Sequence, residues 1–371
     1  MQFSLTSEQE EFRSVLRRFL EEKSPPSLVR RLMETEAGWE RESWRDLNQQ
    51  LGLTAVHIPE AYGGQGFGPV ELGIVLEETG RALLCAPYFA STVLAATAIM
   101  QAGTEAQKRA LLPDIASGET IATLAFTEPN GRWDPDGIEM RASREGSGFR
   151  LNGMKSFVLD GHTADLIVVV ARSEAGLSFF TVPGNAPGLT RRALKVLDPT
   201  RKQALLEFRG VDAELLGQDG GGAEPFARTM TLAAVGLANE MVGGAEKLRQ
   251  SALDYANLRV QFGRTIASFQ SMKHKQADML VDVELAKSAA YRAAQAAAED
   301  DAELAAIASL AKACAAEAYM QTAIHTIQIH GGIGFTWDND THLWFKRAKS
   351  SEVFLGDPAY HRELMLRAWG V

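Results

Sequence analysis

One β-rich block, residues 118 to 222, interrupts an otherwise helical chain, and this order constrains the fold more than any other feature. The runs "IEMRAS", "GFRLNG", "KSFVLDG", "DLIVVVAR", "LSFFTVP" and "QALLEFRGV" are short, rich in β-branched and aromatic residues, and split by Gly, Asn, Asp and Pro. Strands at that spacing predict a compact antiparallel β-domain. A chain of 371 residues that is 46% hydrophobic can bury more than one core. The expected division is a helical domain over 1–117, the β-domain over 118–222 and a helical bundle over 223–371.

The flanking segments carry helical periodicity. Ser7 with Glu10 reads as a capping box, followed by an apolar stripe of Phe12, Val15, Leu16 and Phe19. After the glycine-rich loop "PEAYGGQGFGP", helix resumes in "VELGIVLEETGRALL" and again in "ASTVLAATAIMQAG". From residue 223 on, Phe226, Met230, Leu237, Met241, Leu248, Ala252 and Tyr255 recur at steps of three, four and seven. They predict one long amphipathic helix. Two further alanine-rich helices follow, and small faces allow the close approach of a bundle.

Composition excludes several classes of function. The net charge of -9 is diffuse and offers no basic stripe for nucleic acid. No apolar run is long enough to span a membrane. The N-terminus lacks the apolar core of a signal peptide. Cys85 and Cys314 match no metal spacing, so they read as free thiols in a reducing cytoplasm. No G-x-G-x-x-G follows a strand, and no Walker loop, H-E-x-x-H or G-x-S-x-G is present. The seven histidines form no cluster, so no metal is expected.

Two blocks point to a ligand. "QIHGGIGF" places Gly331, Gly332 and Gly334 at the end of a helix, beside Gln328. The ordinary role is a helix stop; the sharper one is close approach of a backbone to something else. "YANLRVQFGRTIASFQ" turns at Gly263 and offers Arg259 and Phe262. Arginine supplies a fork of donors that matches a diphosphate.

From end to end the chain resembles the acyl-CoA dehydrogenase family. "PEAYGGQG", "AFTEP", "LNGMKSFVLDGHTADLIVVVAR", "RVQFGRTIASFQ" and "QIHGGIGF" match the family's blocks in order and spacing. The resemblance implies a helical domain, a β-domain and a four-helix bundle, assembled as a homotetramer or as a mixed tetramer with a homologous chain. It implies FAD as cofactor, an acyl-CoA substrate and an electron-transfer flavoprotein as acceptor. Arg259, Phe262, Gln328, Gly331 and Gly332 then hold the adenosine diphosphate end of FAD. Phe126 and Thr127 face the flavin, Phe157 stands where the family usually has Trp, and Leu159 where it usually has Thr. Leu159 can offer only its backbone N–H.

The implied reaction oxidises an acyl thioester, from fatty-acid or steroid side-chain degradation, to its 2,3-enoyl form. A carboxylate takes the α-proton. Leu355, in "VFLGDPAY", occupies the usual position of that carboxylate, and a second family position falls near Ala233. The arginine that commonly follows is replaced by Ala234, and "RWD" puts Trp133 near the flavin mouth. Asp357 is the first candidate base and Glu352 the second; Glu240 lies seven residues beyond Ala233, too far along the helix. A turn residue before Pro358 is the plainer role of Asp357. The alternatives are a non-catalytic FAD-holding subunit of a mixed tetramer, or a flavin oxidase or monooxygenase on the same fold.

Overall fold

The computed structural model describes residues 5–146 and 148–371. Helices α1 (Ser7–Lys23), α2 (Pro26–Met33), α3 (Arg41–Leu51) and α4 (Pro69–Arg81) come first. A π-helix over Phe89–Ala96 runs into α5 (Thr97–Ala102), and α6 (Glu105–Ala116) follows. The cap of α1 sits one residue earlier than expected. Thr6, not Ser7, accepts from the Gln9 amide at 3.2 Å, and the Gln9 carboxamide accepts from the Thr6 amide at 3.0 Å.

Seven strands make one sheet: β1 (Ala122–Ala125), β2 (Arg141–Glu145), β3 (Gly148–Leu159), β4 (Leu166–Arg172), β5 (Leu177–Pro183), β6 (Leu189–Ala193) and β7 (Gln203–Leu216). The sheet is mixed, not purely antiparallel, because β1 pairs parallel with β4. A parallel pair needs a long crossover, and the segment holding the β2–β3 hairpin supplies it. The runs "GFRLNG" and "KSFVLDG" fuse into the single strand β3, which changes register against β7 between Lys155 and Val158. Pairing runs β4–β2–β3–β7–β5 and returns to β4, so the sheet curls almost closed around Phe149, Val169, Phe180, Leu206 and Phe208. Closure leaves few free edges.

Beyond the sheet come α7 (Ala223–Leu258), a two-strand hairpin of β8 (Val260–Gln261) and β9 (Arg264–Thr265), α8 (Gln270–Ala298), α9 (Leu304–His330), α10 (Thr341–Val353) and α11 (Pro358–Ala368). Contacts gather the chain into two compact units. One holds the chain up to Arg30, Pro69–Leu84 and Ala234–Val371; the other holds Arg31–Gly68 and Cys85–Ala233. In the first unit α4 and α7 touch backbone to backbone. A Cβ on Gly80 would lie 2.0 Å from the Glu240 carbonyl oxygen, and one on Gly243 would lie 1.8 Å from that of Glu77. Buried alanines at 286, 290, 293, 294 and 297 on α8 serve the same close packing.

Candidate functional site

In the β-containing unit, four of the expected residues gather along β1 and β3. β1 ends at Ala125, and the chain continues as Phe126–Thr127–Glu128 against the outgoing half of β3. The Ser156 amide donates to the Thr127 carbonyl at 2.8 Å. The Phe126 ring packs against Trp133 and Phe226, with centroids 6.0 and 5.7 Å apart. Leu159 is buried, and its carbonyl accepts from the Thr123 hydroxyl at 2.6 Å. Phe157 sits at the register change with φ +57° and is 42% exposed. A bulge re-aims the side chain it carries. Here it turns an aromatic ring outward from a strand whose neighbours are buried.

The pair that fixes this corner is Lys155 and Glu128. Lys155 is fully buried; its Nζ lies 2.6 Å from a Glu128 carboxylate oxygen and 3.1 Å from the Phe126 carbonyl. Glu128 also accepts from the Glu139 and Met140 amides at 3.0 and 2.9 Å. Burial pushes Lys155 down to about 8, against the pull of Glu128. Sequence reading missed this pair. One signal was present: Phe149, Leu151 and Lys155 share the inward phase of β3.

In the helical unit, α7 ends at Leu258 and β8–β9 follow. Phe262 and Gly263 both have positive φ, +54° and +74°, as the tightest hairpin turns require. The turn lifts Phe262 to 92% exposure, edge-on to Phe269 at 6.1 Å. Arg259 is exposed at the hairpin's base, where its carbonyl accepts from the Ile266 amide at 2.8 Å. The last turn of α9 lies beside the end of α7: His330 stacks on Tyr255 at 4.3 Å, and Ile329 packs with Ala252, Ala256 and Met279. Gln328 is exposed there and accepts from Lys275 Nζ at 3.1 Å, a cation that the sequence reading did not single out.

The three clustered glycines have three different reasons. Gly331 adopts φ +66° with ψ −142°, a region open essentially to glycine alone. Gly334 is held by packing, since a Cβ would meet the Ile327 carbonyl at 2.9 Å. Gly332 is exposed, lacks a positive φ, and a Cβ on it would meet nothing within 4 Å. Nothing among the described residues requires glycine at 332. Gly220 is needed for a different reason, internal to the chain. In the segment before α7, where a glycine run would suit a tolerant linker, it has φ +75° and its Cβ would lie 2.4 Å from the Ala175 carbonyl.

The turn between α10 and α11 brings Leu355 into a left-handed conformation, φ +61°, with its side chain buried. Buried groups hold the turn's carbonyls. Lys312 Nζ donates to the carbonyls of Glu352, at 2.7 Å, and Gly356, while His361 Nε2 donates to that of Leu355 at 3.0 Å. Burial lowers Lys312 to about 7 and His361 to about 4. Asp357 is exposed and caps α11, accepting from the Tyr360 amide at 2.8 Å. Its second carboxylate oxygen has no hydrogen-bond partner among the described residues. Glu352 pairs with Lys349, and buried Glu240 pairs with buried Arg347 at 2.9 Å. Ala233 and Ala234 are buried.

Sequence models of the acyl-CoA dehydrogenase N-terminal, middle and C-terminal domains match residues 6–119, 123–211 and 220–370. The chain belongs to the acyl-CoA dehydrogenase family. Acyl-CoA dehydrogenase IpdE2 of Mycobacterium tuberculosis is 34% identical over 92% of this chain and 90% of its own length. The solved structure of butyryl-CoA dehydrogenase from Megasphaera elsdenii superposes with a TM-score of 0.93 at 27% identity, covering all of both chains. A chain of the ChsE4–ChsE5 complex from Mycobacterium tuberculosis superposes with a TM-score of 0.91 at 29% identity, covering 100% of this chain and 99% of its own. The fold is thus the three-part acyl-CoA dehydrogenase fold, and the family's activity is the oxidation of acyl-CoA. No helix among the described residues is long and apolar enough to cross a membrane, and they hold no group of three metal-ligating side chains.

Proposed function

We propose that this chain binds FAD and oxidises an acyl-CoA thioester to the 2,3-enoyl-CoA, in the cytoplasm, as a homotetramer or with a homologous chain. The reading includes an electron-transfer flavoprotein as acceptor, and a division into domains at 1–117, 118–222 and 223–371. The observation that supports the FAD assignment is Gly332, a glycine that no contact among the described residues requires. Beside it, the Gln328 carboxamide and the Gly331 and Gly332 amides are the groups assigned to the diphosphate. Arg259 supplies a fork of donors, and exposed Phe262 an apolar face. In the other unit, Phe126, Thr127, Phe157 and Leu159 are the residues assigned to the flavin ring. Bound FAD would accept hydride from the β-carbon of the thioester.

The protein's own contribution is alignment and proton removal. Leu355 and Ala233 stand at the two positions where the family resemblance expects a carboxylate, and neither can accept a proton. Asp357 is assigned as the base, with Glu352 as second candidate. One Asp357 oxygen caps α11, which leaves the other to take the α-proton. The test is turnover of the purified chain with a panel of acyl-CoAs and an artificial electron acceptor. Asp357→Asn should lower kcat by ~10²-fold or more with flavin content unchanged. Undiminished turnover in that variant would remove Asp357 from the mechanism. Activity that appears only on co-expression with a homologous chain would support the FAD-holding subunit instead.

A further inference from the structure

Arg81 and Lys247 line a cavity of about 110 Å³ among α1, α4, α7 and α10, within the helical unit. Its apolar wall includes Leu20, Pro25 and Trp344. The mouth is held in shape by two cross-links. The Trp344 indole N–H donates to the Arg81 carbonyl at 3.2 Å, and the Ser24 hydroxyl donates to the Ala82 carbonyl at 3.2 Å.

The charges around the cavity do not balance. Arg17 forks onto Glu78 at 2.9 and 2.6 Å, so those two lining groups satisfy each other. The acidic groups that act on Lys247 are Glu21, Asp254 and Asp340. Asp340 is held by Arg30 at 2.6 Å, Asp254 accepts from Gln250 at 2.7 Å, and Glu21 is exposed at the rim. Among the described residues, neither Arg81 nor Lys247 has a hydrogen-bonded or ion-paired side-chain partner. Burial lowers Lys247 from its ordinary value, and Arg81 lowers it further. Two half-buried cations thus face one concavity, and low-dielectric walls concentrate their field there.

We propose that this cavity binds a phosphate group, or an equally compact oxyanion, between the Arg81 guanidinium and the Lys247 ammonium. A planar fork and a point charge are the usual pair of donors for such a ligand. An anion placed there removes the repulsion between the two cations and meets a preformed, partly dry wall. The site is separate from the one assigned to FAD. Lys247 lies roughly 16 Å along the helix axis from the end of α7 at Leu258, and Arg259 follows beyond that end.

The experiment is a titration of the full chain, as purified, with inorganic phosphate at constant ionic strength set by chloride, read by thermal melting. Sulfate serves as a second oxyanion. A saturable rise in Tm is expected, with its midpoint shifted at least tenfold in Lys247→Met and lost in the Arg81→Met, Lys247→Met double variant. Lys247→Arg, which keeps the charge, should retain the response. Flavin content should be equal in all variants. The proposal is overturned if the chain shows no saturable response. It is equally overturned if the response survives in the double variant, which would assign it to another anion site. Should the double variant not fold, an unshifted midpoint in Lys247→Met decides against the proposal.

Discussion

Replacing Lys312 with Met should change not only how stable the protein is but how its stability depends on pH. Lys312 is fully buried on α9 and donates to the carbonyls of Glu352 and Gly356. Burial pushes it down to about 7, opposed by the charges of Asp357 and Glu352. In the unfolded chain a lysine titrates near ~10.4. The folded value is the lower one, so between about 7 and about 10.4 the unfolded chain binds more protons, and stability rises with pH. The slope from this one group is at most ~1.4 kcal/mol per pH unit, or ~2 kcal/mol between pH 7.5 and 9. Methionine has similar bulk but no proton to exchange. It also leaves two carbonyls without their donor, at ~1–3 kcal/mol each where they stay dry. The variant should therefore be the less stable at pH 9, and the gap should narrow towards pH 7. Urea unfolding followed by tryptophan fluorescence at pH 7.5, 8.2 and 9, with reversibility checked, measures this. Other groups titrate equally in both proteins, so only the difference between the two curves matters. Parallel curves would refute the reasoning, because they would mean that Lys312 stays charged in the folded protein.

Arg259→Ala should weaken FAD retention by ~1.5–3 kcal/mol, read as flavin bound per chain after dialysis. Gly332→Val should lower flavin content while leaving the melting temperature of the flavin-free chain unchanged, since its Cβ meets nothing among the described residues. Gly220→Val should do the reverse and lower the melting temperature, because φ +75° and the Ala175 carbonyl both oppose a side chain there. Glu128→Ala leaves buried Lys155 without its counter-charge, and differential scanning fluorimetry should register a loss of ~3–5 kcal/mol.

What the sequence determined by itself was the order of the parts and the blocks that mark the family. The helical stretches announced themselves because a helix's hydrogen bonds are local and its periodicity is written in consecutive residues. Phe226, Leu237, Met241, Leu248 and Ala252 are indeed buried along one continuous helix, α7. The glycines at 331, 332 and 334 were visible as a cluster. Their separate reasons were not, because one depends on backbone conformation, one on a neighbouring carbonyl and one on a surface with nothing beside it. Tertiary structure alone decided the β-region's details. Strands β1 and β6 are too short to stand out, and β1's parallel partner lies across the whole β2–β3 hairpin. The bulge that turns Phe157 outward arises from register against β7, which no local pattern records. The same holds for the buried lysines. Lys155 and Lys312 look like ordinary charged residues in sequence. Their environments are made by Glu128 and by the 352–356 turn, which lie 27 and 40 or more positions away along the chain. Burial, and with it the protonation behaviour of these groups, belongs to contacts distant in sequence, and so could be read only once the chain was folded.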